Sequence, residues 1–183
     1  MKVYKFGGAS VRNADGVRNL AHIVEGEDSL FIIVSAMGKT TNALERVFAH
    51  MQNGRKEEAN EEIKQIQAYH AEIIDDLWGE HTDINEVTLL FGQLRNIVND
   101  IVYRSTDAEL WYDTIVAFGE LISTTIISKY LNYIGTRNRW IDMRTTLLTN
   151  QRHKDANVDI KASKHRLRAS IENTGVGVFV GQG

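Results

Sequence analysis

A continuous apolar run, Leu30 to Val34, constrains the fold of this chain more than any other feature. It reads Leu-Phe-Ile-Ile-Val, which is typical of a strand buried on both faces of a parallel sheet. A shorter strand pattern, Val3 to Phe6, precedes it, and a helical pattern from about Ala14 to Glu25 lies between the two. Two strands joined through a helix run parallel with a right-handed crossover. The sequence therefore predicts an α/β fold with a parallel sheet.

The remaining periodicities extend this prediction along the chain. We predict a helix that starts near Asn42, with Asn42 and Glu45 as its N-terminal cap. Apolar residues at steps of three and four predict a protruding helical hairpin over about 56–103. Further elements are a helical stretch over 105–133 interrupted near 118–120, a strand over 138–143, a helix over 160–172 and a last strand over 176–180. Together these predict a three-layer α/β/α sandwich with a mainly parallel sheet, incomplete at its C-terminal side.

Composition excludes several classes of function. Lys and Arg number 21 against 24 Asp and Glu, and this balance argues against nucleic-acid binding. The chain has no cysteine, so disulfides and thiolate chemistry are excluded. Its longest largely apolar stretch, 30–36, is too short to cross a membrane, and its first residues show no hydrophobic signal core. The histidines show no metal-ligand spacing. We expect a cytoplasmic protein without a membrane contact or a protein-bound metal.

The segment Lys5 to Val11 carries the strongest local signal. Gly7 and Gly8 follow the first strand, where glycines let backbone N–H groups approach phosphate oxygens closely. Lys5 could neutralise charge on a transferring phosphoryl group. For these residues alone, the competing interpretation is a tight turn with a surface lysine.

A second loop, Ser35 to Asn42, follows the buried strand. Its hydroxyls and the helix start could bind a carboxylate, although capping by Thr41 or Asn42 explains them equally well. The Gly-Lys-Thr at 38–40 is not a P-loop, because Ile33 stands where that motif requires its first glycine. Both loops would leave the carboxyl ends of parallel strands, which is where open α/β sheets bind ligands.

Glu120 is a lone acid in an otherwise apolar stretch. A carboxylate in such surroundings is costly unless it is paired. It could meet the ammonium group of a substrate, or it could pair with a nearby Lys or Arg or lie partly exposed. Spacing alone does not separate these alternatives.

These segments, taken together, resemble the aspartate kinases of the amino-acid kinase superfamily. That family opens with Lys-Phe-Gly-Gly-(Thr/Ser)-Ser-Val, which Lys5 to Val11 match except at Ala9. In the second loop, the family's Val-x-Ser-Ala and Thr-Asn resemble Val34-Ser35-Ala36 and Thr41-Asn42. The family's Gly-Glu at the head of a helix is matched by Gly119-Glu120, and its strand with Asp-x-Arg by Asp142-Met143-Arg144. The last residues, Val180 to Gly183, match the family's next segment only in part. The hairpin resembles an insertion present in some branches.

The resemblance implies a function for the chain. It implies that 1–183 form the N-terminal part of a catalytic domain that phosphorylates the side-chain carboxylate of L-aspartate, giving 4-phospho-L-aspartate for lysine, threonine and methionine biosynthesis. ATP and Mg²⁺ would be the cofactors, and the full-length protein a homo-oligomer. Lys5, Gly7, Gly8 and Ser10 would bind the phosphates, with Lys5 catalytic, and Ser35, Thr41 and Glu120 would hold aspartate.

Alternatives remain open at this point. A sibling kinase acting on glutamate, acetylglutamate, carbamate or UMP would share the sheet and the glycine loop, and a non-catalytic ligand-binding module would retain the pocket. The family's later Gly-Arg-Gly-Gly-Ser-Asp segment is absent. We therefore expect the chain alone to be inactive. We also expect the last strand to form an exposed edge of the sheet, without the neighbouring elements that the full domain would supply there. The feedback inhibitor and any fused second enzyme stay undetermined.

Overall fold

The computed structural model describes residues 1–100, 108–150 and 157–183. Its elements are β1 (Lys2–Phe6), α1 (Ala14–Val24), β2 (Leu30–Val34), α2 (Thr40–Gln52), α3 (Lys56–Trp78), α4 (Asn85–Asp100), α5 (Ala108–Tyr133), β3 (Asn138–Ile141), α6 (Met143–Thr146), α7 (Ile160–Ile171) and β4 (Val178–Gln182). The four strands form one sheet in the order β1-β2-β4-β3, and every neighbouring pair is parallel. The predicted parallel α/β architecture is confirmed.

Alternation along the strands sends side chains to two different cores. Leu30, Ile32 and Val34 of β2 face the larger core, which α1 and α5 close. Phe31 of β2 and Phe179 of β4 face the other way, where their rings stack at 6.1 Å beneath α7. Helices therefore cover both faces of the sheet, as the continuous apolar run of β2 predicts.

The helical hairpin packs against the body of the protein. Helix α3 lies along α2 and also contacts α1, while α4 contacts both α3 and α5. Ile63, Phe91 and Leu94 are fully buried in the same core as β2. The two helices of the predicted hairpin are present, but they do not protrude, because their apolar stripes cover neighbouring helices as well as each other. Its predicted end at 101–103 lies outside the described residues.

Several predicted boundaries are corrected by the structure. Helix α2 begins at Thr40, and the position before it, Lys39, makes no side-chain cap, so the cap predicted at Asn42 is wrong. Helix α5 runs without interruption through 118–120. The strand predicted over 138–143 ends at Ile141, and Met143–Thr146 form α6. Strand β4 covers 178–182, two residues later than predicted, so Gly181 and Gln182 belong to the sheet.

The order of strands also corrects the predicted free edge. The last strand, β4, lies between β2 and β3, so the outer strands of the sheet are β1 and β3. Helix α5 is long and apolar enough to cross a membrane by length and composition, and 56% of its most apolar window is buried within the fold. It contacts β2, β3 and β4, and we interpret it as the central core helix.

Candidate active site

Backbone hydrogen bonds join the two predicted loops at the carboxyl edge of the sheet. The Ser35 N–H donates to the Phe6 carbonyl at 3.1 Å, which extends the β1–β2 ladder by one step. The Gly38 N–H donates to the Gly8 carbonyl at 3.0 Å. The loop after β1 is itself closed by a turn in which the Ser10 N–H donates to the Gly7 carbonyl. The structure thus builds one continuous rim from two sequence segments.

The two glycines after β1 have different surroundings. A Cβ atom at Gly8 would lie 2.3 Å from the carbonyl oxygen of Ala36, closer than real Cβ contacts come. A Cβ atom at Gly7 would meet no atom within 4 Å. Gly8 is therefore required by the close approach of the two loops, whereas Gly7 leaves open space beside the rim.

Lys5 lies on β1, one residue before its end. Its register partner on β2 is Ile33, which packs against the core beneath α7, so Lys5 projects from that face of the sheet. The side chain is exposed and makes no salt bridge or hydrogen bond within the described part of the chain. An ammonium group beside a glycine loop is thereby left available to an anionic ligand.

Glu120 lies on α5 directly behind the second loop. Its Oε1 accepts a hydrogen bond from the Ala36 N–H at 3.4 Å, and burial raises the pKa of its carboxyl group above the ordinary value. No Lys or Arg of the described ranges forms an ion pair with it. The described residues therefore show no ion pair between Glu120 and a neighbouring Lys or Arg, which was one of the competing interpretations. The half-buried carboxylate can accept a cation.

Gly119 allows this approach of α5 to the loop. A Cβ atom there would lie 2.8 Å from the Ala36 side chain and 3.3 Å from Leu44 of α2. The glycine that was predicted to interrupt the helix instead lets its backbone pack closely against the rim.

The remaining predicted residues lie on the same edge with fewer contacts. Ser35 is half-buried, and its carbonyl accepts a hydrogen bond from Ser123 of α5 at 3.0 Å. Thr41 lies half-buried in the first turn of α2, and no hydrogen bond joins its side chain to Glu120 among the described residues. Ser10 is exposed, beyond the turn that Gly7 closes. Ser123 lies between the backbone carbonyls of Ser35 and Glu120, and within the described ranges no hydrogen bond joins the hydroxyl of Ser35, Thr41 or Ser10 to Glu120.

Sequence reasoning missed a polar network beneath Glu120. The buried Thr124 hydroxyl lies 2.8 Å from Trp140 Nε1 of β3 and 2.8 Å from Gln182 Nε2 of β4. Gln182 also accepts a hydrogen bond from the Met143 N–H at 2.7 Å. The polar Ser-Thr-Thr at 123–125, inside an otherwise apolar helix, was the available signal.

The Asp142–Arg144 segment forms a local ion pair at the start of α6. Asp142 caps this helix through the Arg144 N–H at 3.0 Å, and the Arg144 guanidinium contacts its carboxylate at 2.7 Å. Burial acts to raise the pKa of Asp142, but the guanidinium outweighs it, so this pKa lies below its usual value. Within the described ranges, no group of three or more His, Asp and Glu side chains is placed to hold a metal ion.

The sequence of the chain matches the amino acid kinase family over residues 1–181. Aspartokinase 1, chloroplastic, from Arabidopsis thaliana is 31% identical over 147 residues, covering 76% of this chain and 25% of that protein. Lysine-sensitive aspartokinase 3 from Escherichia coli is 28% identical over 161 residues, covering 87% of this chain and 35% of that protein.

Solved structures show the same similarity. E. coli aspartokinase III, solved with lysine and aspartate and also with aspartate and ADP, superimposes on the whole chain with a TM-score of 0.83 and 25% identity. This chain covers 40% of that protein. It therefore spans between about a quarter and two fifths of the length of these relatives.

Proposed function

The chain belongs to the amino acid kinase family, and we propose that it forms the N-terminal part of an aspartate kinase catalytic domain. The proposed reaction transfers the γ-phosphoryl group of ATP to the side-chain carboxylate of L-aspartate. The observation that carries this proposal is the convergence of two groups on one edge of a parallel sheet. They are a glycine loop with an exposed lysine and a half-buried glutamate, and neither side chain has an ion-pair partner in the part of the chain that the structure describes.

The chemistry divides between the two loops. An oxygen of the aspartate side chain attacks the γ-phosphorus, and the bond from that phosphorus to the ADP oxygen breaks. Lys5 neutralises charge on the phosphoryl oxygens as they move, and the backbone of Gly7 and Gly8 leaves room for the phosphates to approach. Mg²⁺ would arrive with the nucleotide phosphates, since the described residues form no carboxylate cluster for it.

Glu120 supports an amino-acid substrate. Its carboxylate lies beside the Ala36 N–H and has no basic partner among the described residues, so a substrate ammonium group would supply the missing positive charge. Acetylglutamate, carbamate and UMP carry no free α-ammonium group. The aspartate and ADP in the structures of E. coli aspartokinase III support the choice of aspartate and ATP.

Replacing Glu120 by glutamine should remove aspartate binding while stabilising the chain at neutral pH. The raised pKa of Glu120 means that folding favours its protonated carboxyl group. Ionised Glu120 therefore destabilises the native state at a pH above its folded-state pKa. This destabilisation is absent at a pH below its unfolded-state pKa. In Glu120→Gln, the gain in melting temperature should therefore be present at pH 7 and disappear as the pH falls toward 4.5. Aspartate affinity of the unsubstituted chain should fall over the same range, because only the ionised carboxylate attracts an ammonium group.

Calorimetric titration with aspartate and thermal unfolding at several pH values measure both effects. Glu61→Gln is the matched control, because Glu61 is exposed and pairs with Lys64 within the same helix, α3. Unchanged aspartate affinity in Glu120→Gln would remove Glu120 from the substrate site.

The 183-residue chain by itself is expected to show little or no turnover, because phosphoryl transfer needs charge stabilisation on several sides of the phosphate. The described residues supply Lys5 and the glycine loop on one side. A coupled assay of ADP release with ATP, Mg²⁺ and aspartate measures this rate. Turnover within about tenfold of the full-length enzyme would show that the chain holds the full set of catalytic groups.

A further inference from the structure

The partners of the Thr124 hydroxyl decide which of its hydrogen bonds it donates and which it accepts. A hydroxyl donates once and accepts twice. The indole N–H of Trp140 is only a donor, so Thr124 Oγ1 accepts from it at 2.8 Å. The proton of Thr124 therefore points back along α5 to the Glu120 carbonyl at 2.7 Å, with the Leu121 carbonyl more distant at 3.3 Å.

The orientation of Gln182 completes this assignment. Its Oε1 faces the Met143 N–H at 2.7 Å, which is a donor, so that atom must be the amide oxygen. The Nε2 group then donates to Thr124 at 2.8 Å. Thr124 thus accepts from two strands, β3 and β4, and donates to its own helix one turn before.

Ser123 makes a third connection in the same turn of α5. Its Oγ lies 3.0 Å from the Ser35 carbonyl and 3.1 Å from the Glu120 carbonyl. The Ser123 hydroxyl has one proton to donate, and the Ser35 carbonyl, directly after β2, is the nearer of its two acceptors. Two consecutive hydroxyls therefore connect this turn of α5 to the ends of three strands.

We infer that Ser123 and Thr124 are positioning residues that fix Glu120 over the rim of the active site, with Thr124 held in turn by Trp140 and Gln182. This inference rests on the proposed function for its link to aspartate. The Glu120 side chain leaves the helix one turn before Thr124, and its carboxylate meets the Ala36 N–H only while α5 keeps this height above β2. Losing the Thr124 hydroxyl would leave two donors unpaired and release α5 from two strands.

The test compares Thr124→Val, which keeps the shape and loses the hydroxyl, with Thr124→Ser, which keeps the hydroxyl. In Thr124→Val we expect the NMR signal of the Ala36 amide to move and the Glu120 carboxyl ¹³C titration to shift toward the ordinary glutamate value. Aspartate should bind roughly tenfold more weakly, as expected for a displaced contact. Thr124→Ser should restore all three readouts, and the Trp140 indole signal reports whether the hydrogen bond itself was lost.

The possible results distinguish a positioning role of Thr124 from a purely stabilising one. They also distinguish failure of this inference from failure of the proposed function. A folded Thr124→Val chain with an unchanged Ala36 amide and Glu120 titration would overturn the inference, whatever its melting temperature. If Thr124→Val fails to fold, Gln182→Leu removes one of the two donors and is read in the same way. If neither the unsubstituted chain nor a longer protein that contains it binds aspartate, the proposed function fails, while the Ala36 and Glu120 signals still decide whether Thr124 positions Glu120.

Discussion

Replacing Lys5 by alanine is expected to lower turnover roughly 100- to 1000-fold, the usual cost of losing one donor that stabilises charge in a transition state. Lys5 stands one residue before the end of β1, beside the glycine loop, with its side chain exposed. No acidic residue of the described ranges pairs with it, so the change should leave the fold intact. The effect should fall on the phosphoryl-transfer step because the charge that Lys5 meets grows there.

Lys2→Ala is the matched control for this experiment. Lys2 lies on the same strand at the opposite edge of the sheet, where its ammonium group pairs at 2.8 Å with Glu27 in the turn after α1. The Lys2 side chain is itself exposed, so this pair contributes little to stability. Steady-state kinetics should be measured in whichever form of the protein, this chain or a longer one containing it, gives turnover above background. Near-normal turnover in Lys5→Ala would exclude Lys5 from the mechanism.

The layout of the sheet could be predicted because its strands carry strong local signals. The all-apolar run of β2 can be stable only between two layers of helices, and the structure places α5 and α7 on its two faces. The position of both loops at the ligand edge follows from the parallel direction of β1 and β2. These conclusions depend on periodicity and connection rules, which a single sequence contains.

The details that were missed depend on contacts between distant segments. Gly119 predicts a break in a helix by its intrinsic propensity, but the close packing of Ala36 keeps α5 continuous there. Gln182 lies beyond the strand predicted over 176–180, whereas in the structure it ends β4 and its side chain hydrogen-bonds to Thr124 and the Met143 N–H. The apolar stripes of the hairpin were visible in the sequence, but the helices that they cover were not.

The glycine pair after β1 shows the same limit within two adjacent residues. The sequence predicts that the loop needs glycine, since backbone must approach a phosphate there. It does not predict that Gly8 is enclosed by the second loop while Gly7 faces open space. The second loop distinguishes the two positions, because the Gly38 N–H bonds to the Gly8 carbonyl at 3.0 Å and the Ala36 carbonyl closes the space around Gly8.

Gly8→Ala should therefore disrupt the rim, lowering the free energy of unfolding by about 3 kcal/mol, the upper part of the range for an overpacked site. The added methyl would lie 2.3 Å from the Ala36 carbonyl oxygen and 3.2 Å from that of Gly38. Both obstacles are backbone atoms, so no side-chain rotation relieves the clash and the two loops must separate. The Ala36 N–H would then move away from Glu120, and aspartate binding should be lost with it.

Gly7→Ala is the matched control, because its methyl would meet nothing within 4 Å and should leave the free energy of unfolding nearly unchanged. Denaturant unfolding of both variants measures the difference, and the Gly38 amide signal reports whether the loops remain joined. Equal stability of the two variants would mean that the loops do not pack as described. A stable Gly7→Ala that loses nucleotide affinity would show, in addition, that the open space beside Gly7 is the space that the phosphates occupy.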